Sequence, residues 1–115
     1  PVEHCIANTE GWLINSFIRN ALKSKNYAFI EKEIFGSMKL VDQIAKILDK
    51  GVKGSIEIVG LCSDICVVSN ALMLRSAFPN TEITVDASCC AGVTPEKHKA
   101  AMEVMKSCQI NVIGE

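Results

Sequence analysis

The segment Gly60-Leu-Cys-Ser-Asp-Ile-Cys66 carries most of the chemistry this sequence offers. An apolar run, SIEIVG at Ser55–Gly60, ends in glycine; a short polar turn follows, and a helix-forming run begins. Cys66 falls in the first turn of that helix, where free backbone N–H groups and the positive end of the helix dipole favour a thiolate. The same N–H groups can hold an oxyanion beside the attacking sulfur. This is the strand–turn–helix arrangement of a nucleophile elbow, without its Gly-x-Ser-x-Gly signature. The competing reading treats Cys66 as one more small buried hydrophobe, as free cysteines often are, and the local pattern does not separate the two. Pairing Cys62 with Cys66 on a metal is a weaker reading, because no second Cys/His pair follows at zinc-site distance.

Other chemically capable residues are few. Lys32 stands at the end of an apolar stretch, Tyr27–Glu31, where it could hold a carboxylate or favour the thiolate of a nearby cysteine; by position alone it also fits a solvated surface lysine. The two histidines are His4 and His98. His98 lies in a helical stretch and reads as solvent-facing, and His4, taken alone, reads as structural. Ser63 and Asp64 read as the cap and first-turn acid of the helix that holds Cys66. No Ser–His–Asp order and no phosphate-binding glycine loop is present.

The elements that must position these residues follow from periodicity. Tyr27–Glu31 is predicted as a strand. Ser37 caps a helix running to about Lys50, with Leu40, Val41, Ile44, Ile47 and Leu48 on its apolar stripe, and Gly51 ends it. Ser55–Gly60 is a second strand. A largely buried helix runs from about Ser63 to Phe78 and stops at Pro79. Glu82–Ala87 is a third strand. Thr94-Pro95 opens a third helix, with Thr as N-cap and Pro at the first helical position; Ala101, Met102, Met105 and Cys108 form its inner face. Ile110–Ile113 is a fourth strand. The order β-α-β-α-β-α-β after an irregular N-terminal stretch implies an α/β fold, a doubly wound parallel sheet with helices on both faces. Ligands in such sheets bind beyond the carboxyl ends of the strands, which directs attention to Glu31–Ser37, Gly60–Cys66 and Ala87–Pro95.

Composition narrows the class. The 115 residues leave room for one domain. Twelve basic against thirteen acidic residues give a net charge of −1, so no electrostatic footprint for nucleic acid or an anionic membrane exists. No apolar run approaches the roughly 20 residues of a membrane span. Six cysteines accompany long aliphatic segments that already supply a core, which favours an intracellular, cytoplasmic protein with free thiols over a disulfide framework. The chain begins at Pro1 rather than Met, so targeting segments cannot be read from it.

Taken together these segments resemble the isochorismatase-like cysteine hydrolases, and within them the nicotinamidase branch. The resemblance is carried by His4-Cys5-Ile6 with Asn8-Thr9-Glu10-Gly11, by Glu31-Lys32 with Phe35-Gly36-Ser37, by Val59 to Val67 around the Cys66 turn, and by Asp86-Ala87 with Cys90-Ala91-Gly92. It implies a Rossmann-like three-layer fold and a Cys–Lys–Asp triad in which Cys66 is the nucleophile and Lys32 the lysine. It also implies a cis peptide at Leu61–Cys62 that aims the Cys62 N–H, with that of Cys66, at the oxyanion. The substrate implied is a small-molecule amide, nicotinamide going to nicotinate and ammonia through a Cys66 thioester, which places the protein in NAD metabolism and in a homo-oligomer. His4 matches one ligand of a divalent metal site for zinc, iron or manganese. Relatives often carry a ring-stacking aromatic where this chain has Pro1-Val2-Glu3, and Trp12 or Phe35 could take that substrate-binding place.

The triad Asp, on the family's first strand, and the other metal ligands are not in the sequence. Residues 1–115 are therefore expected to be the C-terminal portion of a single cysteine hydrolase domain, incomplete and catalytically incompetent alone, within an intact protein of roughly 180–200 residues. The alternative is that the missing strands come from another chain or a swapped copy. In family sheets two strands separate Tyr27–Glu31 from Ser55–Gly60, so both edges would stand open here. Two further functional readings remain: a metal-free hydrolase of another amide or an enol-ether, with His4 structural, and a non-catalytic interaction module that keeps the fold.

Overall fold

A computed structural model describes residues 2–115. It shows an α/β arrangement built on a three-stranded parallel sheet: β1 (Ile56–Leu61), β2 (Ile83–Ala91) and β3 (Asn111–Ile113), in that spatial order. Helix α3 (Val68–Ala77) connects β1 to β2, and α4 (Pro95–Ser107) connects β2 to β3. Two helices precede the sheet, α1 (Ser16–Leu22) and α2 (Met38–Asp49), with a short 3₁₀ turn at Glu10–Trp12.

The core lies between the sheet and the helices. Ile83, Val85 and Ala87 alternate along β2, so all three side chains leave the strand on one face, and they are buried with Ala71 and Leu74 of α3 and Ala101, Met102 and Met105 of α4. Leu40, Val41 and Ile44 of α2 pack against the same cluster. The alternation continues across β1, where Ile56 and Ile58 turn inward while Val59 and Leu61 turn outward. That outward face carries no helix among the described residues, and Val59, Leu61 and Ile113 on it are at least half exposed.

The helix signals worked as their chemistry requires. Ser37 Oγ accepts from Leu40 N, and Thr94 Oγ1 accepts from Lys97 N ahead of Pro95. Gly51 follows the end of α2 with φ of +77°, a conformation in which its missing Cβ removes the clash. Of the expected stripe on α2, Leu40, Val41, Ile44 and Leu48 are half-buried, but Ile47 is exposed.

Four expectations are corrected. Tyr27–Glu31 forms no strand, because no neighbouring strand among the described residues offers it a ladder, and without one its apolar pattern has nothing to pair with. The N-terminal stretch is not wholly irregular, since α1 forms there with Asn15 as cap, its side chain accepting from Phe17 N. The helix expected from Ser63 begins instead as a π turn, Ser63–Val67, before α3 proper. β2 also runs four residues further than expected, to Ala91.

Candidate active site

The carboxyl end of β1 is where the chain is locally most unusual. Gly60 has φ of +128°, a region closed to residues with a Cβ. The ladder slips at the same place: Ile58 pairs with Val85, whereas Gly60 pairs with Cys90. The next peptide bond, Leu61–Cys62, is cis. Cys62 then caps the π turn, its carbonyl accepting from Ile65 N at 3.1 Å and Val67 N at 3.0 Å. A wider turn than an α-helix re-aims its side chains, and such turns recur at functional sites. Cys66 lies within it and is half-buried.

Lys32 approaches that thiol from the irregular segment that precedes α2. Its Nζ stands 3.7 Å from Cys66 Sγ, and it also donates to Ile34 O at 3.1 Å. The two residues are 34 positions apart, so the fold and not local sequence creates the pair. The contact sets a cationic group directly against the sulfur.

Cys66 and Lys32 line a cavity of about 850 Å³ with His4, Trp12, Phe35, Leu61 and Cys62, among others. All seven residues singled out from the sequence thus meet at one cavity. Trp12, Glu31 and Lys32 also line an adjoining cavity of about 500 Å³ whose other walls include Leu13, Ile14 and Phe29. Aromatic and aliphatic walls with a few polar groups suit a small, flat, largely apolar ligand.

His4 is exposed, with Nδ1 2.8 Å from Val2 O. Among the described residues no group of three or more His, Cys, Asp or Glu side chains is placed to hold a metal ion. The residues present therefore supply one imidazole rather than a ligand set, and they do not by themselves fit the metal that the resemblance implies. Pro1, where relatives carry an aromatic, lies outside the described residues.

The Cys66 turn is fastened from behind by residues whose parts were misjudged or overlooked. Ser63 does not cap the helix; it is completely buried, with Oγ 2.8 Å from Nδ1 of His98 on α4. His98 is correspondingly half-buried rather than solvent-facing. Asp64 Oδ1 accepts from Val93 N at 2.9 Å, tying the turn to the loop after β2. Gly92 makes that approach possible, since a Cβ there would lie 2.9 Å from Asp64 Oδ1 and from the His98 backbone nitrogen. Asn70, one helical turn after Cys66, donates to Cys66 O at 2.8 Å and was not recognised from the sequence. The available signal was a lone amide inside an apolar helix, a buried polar group that must find partners.

All six cysteines are free, with Cys5, Cys89 and Cys108 exposed and Cys62, Cys66 and Cys90 half-buried. Burial pushes the Cys90 thiol above its ordinary pKa, with only partial relief from its backbone hydrogen bond with Gly60. The six thiols sit in different environments, and among the described residues Cys66 is the one with an ammonium within hydrogen-bond range.

A parallel α/β sheet with a thiol–lysine pair beyond the carboxyl end of a strand defines the class. The model of the isochorismatase domain matches residues 1–114, and the chain belongs to the isochorismatase family. Among solved structures it is similar to the nicotinamidase of Bacillus subtilis, with 24% identity, a TM-score of 0.80, and 97% of this chain covering 63% of that one. The nicotinamidase of Staphylococcus aureus gives 25% identity and a TM-score of 0.77, with 96% of this chain covering 70% of that one. The pyrazinamidase of Pyrococcus horikoshii, solved in complex with zinc, gives 22% identity and a TM-score of 0.69, with 98% of this chain covering 62% of that one. The chain thus spans less than two thirds of the Bacillus and Pyrococcus proteins it matches. No curated protein matches it. No helix of the described residues is long and apolar enough to cross a membrane.

Proposed function

We propose that the protein is a thiol-dependent hydrolase of C–N bonds in small amides, acting on nicotinamide or a close analogue, with Cys66 as nucleophile and Lys32 as its partner. The observation that carries the reading is the 3.7 Å separation of Lys32 Nζ and Cys66 Sγ inside a cavity walled by Trp12 and Phe35. The Cys66 thiolate attacks the amide carbonyl, and the C–N bond breaks as ammonia leaves, forming a thioester. Water then opens the thioester and releases the acid. The backbone N–H groups of Cys62, which caps the π turn, and of Cys66, within it, are assigned to the developing oxyanion. Lys32 holds the thiolate before attack. Moving a proton onto ammonia and off the attacking water requires a further acid–base group, which the family resemblance assigns to an aspartate outside this sequence.

On that reading residues 1–115 are the C-terminal portion of one domain. The uncovered sheet face at Val59, Leu61 and Ile113 supports this, because further chain or a second copy must cover such a surface in a stable enzyme. The six free thiols fit a reducing, cytoplasmic setting. The isolated 115-residue chain is expected to be inactive.

Ammonia release from nicotinamide by the full-length protein tests the proposal. Cys66→Ala is expected to abolish it, a loss on the order of 10⁴-fold or more. A full-length protein that hydrolyses nicotinamide equally well without Cys66 would refute the reading. The second reading is a metal-free hydrolase of another small amide, in which His4, with Nδ1 2.8 Å from Val2 O, is structural. Metal analysis of the full-length protein separates the two, with stoichiometric zinc, iron or manganese supporting the nicotinamidase type.

A further inference from the structure

The proposed pair presents a geometric problem. Cys66 belongs to the packed part of the molecule, whereas Lys32 belongs to a segment in which residues 31–35 are all exposed. Something must hold that segment at the right distance from the sulfur, since an ammonium on an untethered loop loses its effect within a few ångströms.

Asn70 is placed to do this. Its side-chain amide is half-buried on α3, directly behind the Cys66 turn. Nδ2 donates to Cys66 O at 2.8 Å and to Phe35 O at 3.0 Å, while Oδ1 accepts from Ser37 N at 2.9 Å. One planar group therefore satisfies the carbonyl of the nucleophile and both ends of the Phe35–Ser37 segment. Lys32 is bonded in turn to Ile34 O, one residue before Phe35. The segment is also pressed onto α3 at Gly36, where a Cβ would stand 2.6 Å from Met73 Sδ. The other polar residues of α3 do not reach the lysine's segment: Ser69 and Ser76 return their hydroxyls to Ile65 O and Leu72 O, four residues back on the same helical run, and Arg75 donates to Phe78 O, Thr81 O and Gln109 O beyond the far end of the helix.

We infer that Asn70 is a positioning residue that sets the Lys32–Cys66 distance by bridging the nucleophile's turn to the lysine's segment. This rests on the Cys66–Lys32 reading above. Two donors and one acceptor in this fixed order define an amide. A serine could keep the bond to Cys66 O, as Ser69 does for Ile65 O, but it could not also span to Phe35 and Ser37. An aspartate would keep the size and the bond from Ser37 N while turning a carboxylate oxygen on two carbonyls.

The test is alkylation of Cys66 by iodoacetamide in the full-length protein, read peptide by peptide by mass spectrometry at neutral and at alkaline pH. Lys32→Met is expected to slow the reaction severalfold at neutral pH and to change the alkaline rate less. Asn70→Ser is expected to reproduce most of that neutral-pH loss with circular dichroism unchanged. The double variant should be no slower than Lys32→Met alone, because both remove one effect. Should Asn70→Ser fail to fold, Asn70→Asp supplies the same comparison at constant size. A wild-type neutral-pH rate in the Asn70 variants beside a slowed Lys32→Met overturns the inference alone, as does a double variant whose losses multiply. An unchanged rate in Lys32→Met overturns the Cys66–Lys32 reading, and the inference with it.

Discussion

Residues 2–36 and residues 55–113 are built from similar apolar side chains but have opposite fates. The second region supplies every residue of the buried core, from Val67 and Leu74 to Met105 and Ile110. The first contains no buried residue at all: Phe17 is 82% exposed, Ile34 66% and Phe29 60%. Tyr27 and Phe29 meet edge to face, with ring centroids 5.2 Å apart, but largely on the surface. The difference lies in partners rather than composition. β1, β2 and β3 find one another and two covering helices, whereas the apolar stretch around Phe29 pairs with no strand among the described residues. The candidate site straddles the seam, with its sulfur on the packed side and its ammonium on the open side. Such an arrangement leaves the Cys66 side chain fixed by packing and the position of Lys32 dependent on a few hydrogen bonds.

The largest expected contrast is in stability. Leu74→Ala, removing a side chain 1% exposed, should cost about 2–5 kcal/mol in urea unfolding. Phe29→Ala in the same 115-residue chain should fall within about 0.5 kcal/mol. Equal costs would break the comparison. If Phe29→Ala is instead costly in a longer product of the same coding sequence, the added chain covers that segment, which would sharpen it. A smaller effect is expected at the fastening behind the Cys66 turn. His98→Leu leaves the buried hydroxyl of Ser63 without its partner, at about 1–3 kcal/mol. Replacing both, with Ser63→Ala added, should recover part of that loss, since no unsatisfied group then remains.

Thiol reactivity ranks next. Cys90 is held above its ordinary pKa by burial, so at neutral pH it stays a neutral thiol in the folded protein. It should label more slowly than exposed Cys108, with the gap narrowing as pH rises. The linked stability effect has the same sign. A thiol raised on folding contributes nothing adverse below its unfolded pKa and destabilises as pH climbs toward its folded value. If Cys90 labels as fast as Cys108 at neutral pH, the packed side of the seam is looser than described.

What the sequence disclosed divides along the same seam. The helices after residue 36 and the three strands were legible because periodicity, Ser37, Thr94-Pro95 and Gly51 all reported local physics that the tertiary structure did not override. Tyr27–Glu31 misled because a strand is a relation between segments, and its apolar pattern cannot reveal whether a partner exists. Strand–turn–helix order made Cys66 a candidate without separating it from a buried structural thiol, and only the family resemblance joined it to Lys32, since nothing local links residues 34 apart. His98 was misread for a related reason. Its helical position looked solvent-facing until the Ser63 turn was laid against it. Ser63 looked like a helix cap because it stands at a helix start, but the π turn turns it toward α4; Asp64 is the first-turn acid expected of it and also bonds the loop before α4.

The smallest expected effect concerns the surface of the packed region, and it asks whether that region owes anything to charge. Lys106 near the end of α4 bonds Glu103 Oε1 at 2.9 Å and Glu115 Oε2 at 2.5 Å. The hydrogen bond from Lys106 holds the Glu103 carboxyl below its ordinary pKa, and the bonds to Glu115 and Glu103 hold Lys106 above its own. For Glu103 the folded value is the depressed one. Its contribution is therefore present above the unfolded carboxylate pKa and fades as pH falls through the folded value. For Lys106 the folded value is the raised one, so its share is present below the unfolded lysine pKa and fades as pH rises through the folded value. All three groups are solvated, and exposed pairs of this kind are screened by salt. Lys106→Ala should thus flatten the acid limb of stability against pH only slightly, and the difference should vanish in about 1 M salt. A large, salt-resistant loss would show that the C-terminal end of α4 is held by its ion pairs rather than by Met102 and Met105 beneath it.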